Sequence, residues 1–460
     1  MRYEEYLESK KIIMQSSGFN PEEINCKLFD FQQDIVKWSL KKGRSAIFAG
    51  TGLGKTAMQL EWANKVCEHS GKNVLILAPL AVSSQTVREG NKFNISVNQC
   101  RTQADVCSGI NITNYEMLHN FEPSEFAGIV LDESSILKAY DGKTRTQIIE
   151  SFLNTPYKLA CTATPAPNDY MELGNHAEFL GVMTRSEMLS MFFVHDGGDT
   201  SKWRLKGHAI ESFWQWVSSW AVMLTKPSDL GYEDRGFALP PLNMHQITIK
   251  SDKPTDGYLF AIEAQTLQER QAARRSTIRD RVSACAELVN NTDDDWLIWC
   301  DLNNESEALS RTIKDSWEIK GGNSNEYKVN TMMGFANGEI KRIISKPSIC
   351  GYGMNFQVCN KMAFVGLSDS FEQIYQAIRR CWRYGQTKPV DVYMITADTE
   401  GAVVKNIERK EKEFNEMLAG MISATQEITR ENIKGTIRET TEYNPTQEMI
   451  IPEWMVEICA

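Results

Sequence analysis

Short apolar runs punctuate the first third of the chain: Ala46-Ile-Phe-Ala49, Val74-Leu-Ile-Leu-Ala78, Gly128-Ile-Val-Leu131 and Leu159-Ala-Cys161. Each is of strand length and apolar at successive positions, as a strand buried on both faces requires, and Pro79 closes the second. Ile110-Asn-Ile-Thr-Asn-Tyr115 is a weaker strand that runs into a loop. Between these runs the apolar spacing becomes that of helices. Ile35, Val36 and Leu40 are the apolar positions of an early helix. Met58, Trp62 and Val66 share one side of a run from Ala57 to His69 that Gly71 stops. Strands alternating with helices predict a doubly wound parallel α/β lobe over residues 1–181.

Over residues 182–245 the alternation stops and aromatic residues gather: Trp203, Phe213, Trp214, Trp216 and Trp220. Phe213, Trp216, Val217 and Trp220 recur at helical spacing, which predicts a helical insertion packing its own core, with a nucleic-acid stacking surface as the alternative, closed by the stiff linker Leu239-Pro-Pro-Leu242. An arginine-rich helix follows, with Arg270, Arg274 and Arg281 on one face and Arg275 and Arg279 opposite, and it reads as solvated. Strand-like runs then resume at Asp295-Trp-Leu-Ile-Trp-Cys300, Lys341-Arg-Ile-Ile-Ser345, Met362-Ala-Phe-Val-Gly366 and Val390-Asp-Val-Tyr-Met-Ile395. They predict a second α/β lobe over residues 246–430. Residues 431–460 read as a tail that either docks through Ile450, Ile451 and Trp454 or does not dock at all.

Composition changes this picture little. With 460 residues, 42% hydrophobic and 24% charged, the chain has room for two lobes with a core each. No apolar run approaches a membrane span, Met1-Arg-Tyr-Glu-Glu5 does not open a secretory signal, and eleven cysteines lack paired C-x-x-C spacing. The expectation is a cytoplasmic protein with reduced thiols. A net charge of −10 argues against a surface coated in nucleic-acid-binding charge, yet it allows a basic groove on an acidic body. Six scattered histidines offer no zinc site.

The candidate chemistry gathers where predicted strands end. Ala49-Gly-Thr-Gly-Leu-Gly-Lys-Thr56 follows one strand and opens a helix. Gly50, Gly52 and Gly54 let the backbone, Thr51 included, turn its N–H groups toward a polyphosphate. The helix N-terminus adds a favourable field, Lys55 reaches the terminal phosphates, and Thr56 offers a hydroxyl to magnesium. The loop therefore predicts a nucleoside triphosphate site, with Ala49 where its pattern usually begins in glycine. Upstream, Gln32 reads as an amide for the adenine edge, because an amide both donates and accepts. Asp132 and Glu133 end another strand, with Asp132 placed to hold magnesium through water and Glu133 to orient and deprotonate the attacking water. Thr162-Ala-Thr-Pro165 ends the next strand in hydroxyls suited to linking nucleotide state to the neighbouring lobe. Further on, Ser370 to Gly385 reads as one helix with a capping-box start at Ser370 and Gln373. Gln376, Arg379, Arg380 and Arg383 share one face of it, so its cations would neutralise charge on a transferred phosphoryl group if that face met the phosphate loop.

In their order, these blocks resemble the motifs of superfamily 2 helicases, specifically the Swi/Snf-like branch of duplex-DNA translocases, from about Leu28 to Gln386. Leu28-Phe-Asp-Phe-Gln32 is similar to the adenine-reading Q motif, and Ala49 to Thr56 to motif I. Leu77-Ala-Pro-Leu80 and Ile112-Thr-Asn-Tyr115 resemble motifs Ia and Ib, which implies nucleic-acid contacts for Pro79, Thr113 and Asn114. Gly351-Tyr-Gly-Met-Asn-Phe356 resembles motif V and implies the same for Gly353 and Asn355. Asp132-Glu-Ser-Ser135 fills the D-E-A-H position and departs from it at the last two residues. Thr162 to Pro165, with Asn168 and Glu172, resembles motif III and its extension. Gln376 to Gln386 resembles motif VI, which implies catalytic roles for Gln376, Arg380 and Arg383. The resemblance implies two RecA-like lobes, ATP and magnesium as cofactors, and DNA, double-stranded, as the partner. The compact form is similar to versions carried by phages and bacteria. The alternatives are a motor subunit working with a protein partner in a restriction–modification or other DNA-processing complex, and a nucleotide-switched remodeller of a protein–DNA complex.

Overall fold

The strong apolar runs of the first half are central strands of one parallel sheet. In chain order its strands are β1 (Arg44–Ala49), β2 (Asn73–Ala78), β3 (Val97–Gln99), β4 (Ile110–Asn114), β5 (Phe126–Asp132), β6 (Tyr157–Thr162) and β9 (Ala221–Leu224). In space they run β3-β4-β2-β5-β6-β1-β9, every pair parallel. Ala46 of β1 stands between Ala160 and Ala221 of its two neighbours. Because the strands are parallel, their carboxyl ends share one edge, and that edge collects the loop after β1, Pro79 after β2, Asp132 at the end of β5 and Thr162 at the end of β6. The computed structural model describes residues 14, 16–79, 82–138, 142–167, 169–196, 199–234, 236–250, 274–350, 354–367, 370–398 and 401–437.

Helices cover both faces. On one side, α1 (Asp30–Lys42), α2 (Lys55–Ser70) and α3 (Ser83–Phe93) line a core that holds Ile35, Trp38, Trp62 and Val66. Helix α2 starts from Gly54 and ends on Gly71, both left-handed, with the Gly71 N–H donating to the Cys67 carbonyl. The opposite face is covered in part by α4 (Ile210–Ser218), whose Phe213, Trp216 and Val217 join Trp220 in the core of this sheet.

Residues 182–245 are therefore only partly an insertion. They contain the antiparallel hairpin β7 (Phe193–Asp196) and β8 (Asp199–Leu205), and β9 returns to pair with β1, so the first lobe runs at least to Leu224 rather than to 181. Their tryptophans have no separate core, since the sheet supplies its other wall. Beyond Pro241, β10 (Leu242–Ile249) is already an edge strand of the second sheet, where a linker was expected. That sheet continues with β11 (Trp296–Cys300), β12 (Ser316–Ile319), β13 (Arg342–Ser345), β14 (Lys361–Val365) and β15 (Val390–Ala397). Its spatial order is β10-β15-β14-β11-β13-β12, again all parallel.

The arginine-rich helix corrects the sequence reading. In α5 (Ile278–Asn290) Arg281 is fully buried and pairs at 2.8 Å with Glu305, itself fully buried in the first turn of α6 (Asn303–Thr312). Arg274, also buried, pairs with Asp301. These cations face inward because partners four residues apart wait on the next β–α connection, which periodicity within one helix cannot show. Arg270 and the expected docking residues Ile450, Ile451 and Trp454 lie outside the described residues.

The last described helix, α8, spans Gly401–Ile437. Its 37 residues extend about 55 Å. Val403, Ile407 and Phe414 pack in the second lobe, whereas Met421 and Ile433 pack in the first. Arg430 donates to the Ser228 and Asp229 carbonyls at 2.9 and 3.1 Å, fastening this end to the first lobe. The boundary expected at 431 thus falls inside a helix that crosses both lobes.

Candidate nucleotide cleft between the lobes

The glycine loop forms for the reason its sequence suggests. Gly52 and Gly54 have φ of 92° and 78°, where a side chain is strained. Close approach matters as well. A Cβ on Gly54 would meet the Gln32 amide nitrogen at 2.3 Å, and one on Gly52 would meet the backbone nitrogen of Tyr384, from the second lobe, at 2.8 Å. Gly50 N–H donates to the Leu224 carbonyl at 2.8 Å, so the unexpected strand β9 anchors the loop's first residue. Lys55 Nζ donates to the Ala49 and Gly50 carbonyls at 2.7 and 3.3 Å. Desolvation lowers its pKa, and the nearby Glu133 and Asp132 oppose that shift.

Gln32 is buried and braces this loop. Its Nε2 donates to the Leu53 carbonyl at 2.9 Å, and its Oε1 accepts from the Phe29 N–H at 3.1 Å. Beside it, Phe29, Phe237 and Tyr384 form an aromatic group spanning both lobes, with centroids 4.7 Å apart for Phe237–Tyr384 and 5.1 Å for Phe29–Phe237.

Asp132 and Glu133 face the loop from the end of β5. Asp132 Oδ1 accepts from Gln59 Nε2 at 2.8 Å. Gln59 escaped the sequence reading, although its place one helical turn after Lys55 puts it on the α2 face that meets β5. Glu133 adopts a left-handed φ of 60°, and its Oε1 accepts from Ser135 Oγ at 3.1 Å and from Thr162 Oγ1. Thr162 Oγ1 in turn accepts from the Thr164 N–H at 3.0 Å. Burial raises the pKa of both carboxyls, Lys55 opposing each.

The second lobe completes the cleft with Asn355, Gln376, Arg380 and Arg383, which line it together with Thr51, Gly52, Gly54, Lys55, Thr56, Pro79, Asp132 and Glu133. The expected long helix is shorter: α7 covers Phe371–Ile378, and the residues after it turn tightly, with N–H groups of Arg380 and Cys381 reaching back to Ala377 and Ile378. Arg380 and Arg383 therefore enter the cleft from turns rather than from a helix face. Arg379 departs from them and lies over Trp382 and Tyr375, 4.2 and 5.1 Å from the ring centroids. Arg380 is buried, donating to the Gln376 and Met354 carbonyls at 3.1 and 3.3 Å and to Gln376 Oε1 at 3.3 Å. Arg383 donates to Asn355 Oδ1, and burial, with Arg380 adding to it, pulls its pKa down to about 9. Among the described residues, Thr51 Oγ1, Gln376 Nε2 and Arg383 Nε are buried polar atoms without a partner, and all belong to residues lining this cleft.

The residues expected to meet nucleic acid divide. Pro79 and Asn114 line a second cavity of about 540 Å³ that also reaches Glu133, Lys138 and Glu372, the last two an ion pair across the lobes. Thr113 is buried within β4 and cannot reach a ligand there. Asn355 faces the nucleotide cleft and holds Arg383, and Gly353 and Asn168 lie outside the described residues. The described residues contain no helix long and apolar enough to cross a membrane, and no cluster of three or more histidine, cysteine or acidic residues placed to hold a metal.

Comparison with known proteins matches two family models. Residues 25–167 match the type III restriction enzyme, res subunit, and residues 280–385 match the helicase conserved C-terminal domain. Among solved structures, the chain is similar to the Sulfolobus solfataricus SWI2/SNF2 ATPase core in complex with dsDNA. That protein is 18% identical, with a TM-score of 0.42 over 90% of this chain and 98% of that one. No curated protein matches.

Proposed function

Because this chain is a superfamily 2 helicase-type motor ATPase, we propose that it works along double-stranded DNA, hydrolysing ATP with magnesium between its lobes. One observation carries the reading: Arg380 and Arg383 of the second lobe line the same cleft as Lys55 and Glu133 of the first. An active site split between lobes makes hydrolysis depend on how the lobes meet, which is what a motor must couple to movement.

The residues take these roles. The N–H groups of the Gly50 to Thr56 loop and Lys55 bind the phosphates, Lys55 exchanging its bonds to loop carbonyls for phosphate oxygens. Gln32 sets the loop's shape and, beside the exposed Phe29 ring, marks the side on which the base lies. Glu133, held by Thr162 and Ser135, orients and deprotonates the attacking water. Arg383 and Arg380 stabilise the charge that appears on the transferred phosphoryl group, with Gln376 fixing Arg380. Magnesium suits the donor set: one carboxylate, Asp132, with Thr56 at the start of α2, leaves places for phosphate oxygens and water rather than an all-protein cage. When bound there, the ion would neutralise phosphate charge. Gln59 orients Asp132 for it. Pro79 and Asn114, on the wall of the larger cavity, are the nucleic-acid side of the first lobe.

The test is ATP turnover by the purified chain with duplex DNA, single-stranded DNA, RNA or nothing, with Lys55→Ala as the control. The expected result is the largest stimulation by duplex DNA and none in the variant; equal turnover in all four conditions would overturn the reading. The match of residues 25–167 to a restriction-enzyme subunit favours one second reading, a motor working inside a larger DNA-processing complex. It is distinguished by DNA stimulation that appears only when a partner protein is added.

A further inference from the structure

Tyr115 follows β4 and is absent from the chemistry so far. Its ring is buried in the core of the first lobe, and its edge lines the cavity that Asn114 and Pro79 share. Its hydroxyl donates to the main-chain carbonyl of Asp132 at 2.7 Å. That oxygen belongs to the peptide joining Asp132 to Glu133, so fixing it fixes the plane from which Glu133 turns. Glu133 needs such support, because its φ of 60° is one that side chains other than glycine adopt at a cost. The carboxylate end has its own support from Ser135 and Thr162. Two hydroxyls thus hold the acid group and a third holds the backbone that aims it.

We propose that Tyr115 is a positioning residue for hydrolysis, its hydroxyl holding the peptide before Glu133 so that the carboxylate meets the attacking water. This rests on Glu133 being the base proposed above. Phenylalanine at 115 keeps the ring in the core and removes one oxygen. A peptide plane freed by the loss of one hydrogen bond should lower the rate of the chemical step by about tenfold.

The experiment measures kcat, KM for ATP, equilibrium ATP binding and melting temperature for wild type, Tyr115→Phe, Glu133→Gln and the double variant. The expected result is a tenfold fall in kcat for Tyr115→Phe, ATP binding unchanged, and no further loss when it is added to Glu133→Gln. Unchanged kcat would overturn the proposal. So would a fall that multiplies with that of Glu133→Gln, which places Tyr115 outside the base's action. Weakened ATP binding together with a lowered melting temperature would make the hydroxyl merely structural and overturn it too. If wild type and Glu133→Gln hydrolyse ATP alike, the assignment of the base has failed, and the inference falls with it.

Discussion

Arg383→Ala should lower DNA-stimulated ATP turnover by about a thousandfold while leaving ATP affinity within about threefold. The magnitude follows from how this guanidinium sits. Burial and Arg380 pull its pKa down to about 9, which still leaves it charged at neutral pH. Asn355 takes one of its donors, and its Nε, buried, has no partner among the described residues, so donors remain for a ligand. A thousandfold corresponds to about 4 kcal/mol, several times the ~1 kcal/mol net of a neutral hydrogen bond. Only a charge-assisted contact in a dry cleft, made mainly in the transition state, supplies that much. The same sparse pairing implies that alanine costs little stability, because it removes a desolvated cation with few partners. Lysine should recover less than about tenfold, since an ammonium lacks the planar fork and cannot meet Asn355 and a phosphoryl oxygen together. The assay is nucleotide binding by fluorescence beside steady-state turnover for wild type, Arg383→Ala and Arg383→Lys. Turnover within threefold of wild type in both variants would refute the reasoning and remove the second lobe from the chemistry.

Glu133→Gln should bind ATP and cleave it only at a slow residual rate, lower by orders of magnitude, as nucleotide-binding and product-release measurements on one sample will show. Since burial raises the Glu133 pKa, wild-type kcat should climb with pH through a window above the ordinary carboxylate range, a limb absent from the glutamine variant. The sign for stability is opposite: folded Asp132 and Glu133 hold protons to higher pH than the unfolded chain, so their contribution weakens as pH rises through the folded values. Gly52→Ala adds about 1–2 kcal/mol of backbone strain and a Cβ 2.8 Å from Tyr384 N, so it should slow turnover at least tenfold. Gly71→Ala, with φ of 66° and nothing within 4 Å, should carry the strain without the loss of turnover, measured side by side. Glu305→Ala leaves Arg281 buried without this carboxylate partner and should cost about 3–5 kcal/mol in denaturant unfolding of the second lobe; a loss below 1 kcal/mol would contradict the buried pair.

The sequence by itself determined the elements whose causes are local. The phosphate loop was legible because positive φ at Gly52 and Gly54 demands glycine, and the helix after it stops where Gly71 can turn left-handed. The central strands were legible because burial on both faces leaves an uninterrupted apolar run, as in β2 and β5. Whatever depended on a distant partner was not. The edge strands β3, β10 and β12 carry mixed residues, since one side of an edge strand meets solvent or a loop, and β9 is four residues whose pairing with β1 comes from far along the chain. Arg281 looked solvated because its partner, Glu305, is 24 positions away on another helix. Arg380 and Arg383 were found by type and spacing, but a helix was assumed to aim them. The tertiary structure ends that helix at Ile378 and aims them from turns, sending Arg379 onto Trp382. Gln59 and Tyr115 had no local signature, because each works through a hydrogen bond to a residue at least 17 positions away, and Asn355 was marked by its motif for nucleic acid while its bond to Arg383, 28 positions on, was not legible. Residue type and short-range spacing specify what chemistry a chain can do. Which side chains share one cleft is decided by long-range packing of two sheets, and that depends on contacts no local pattern contains.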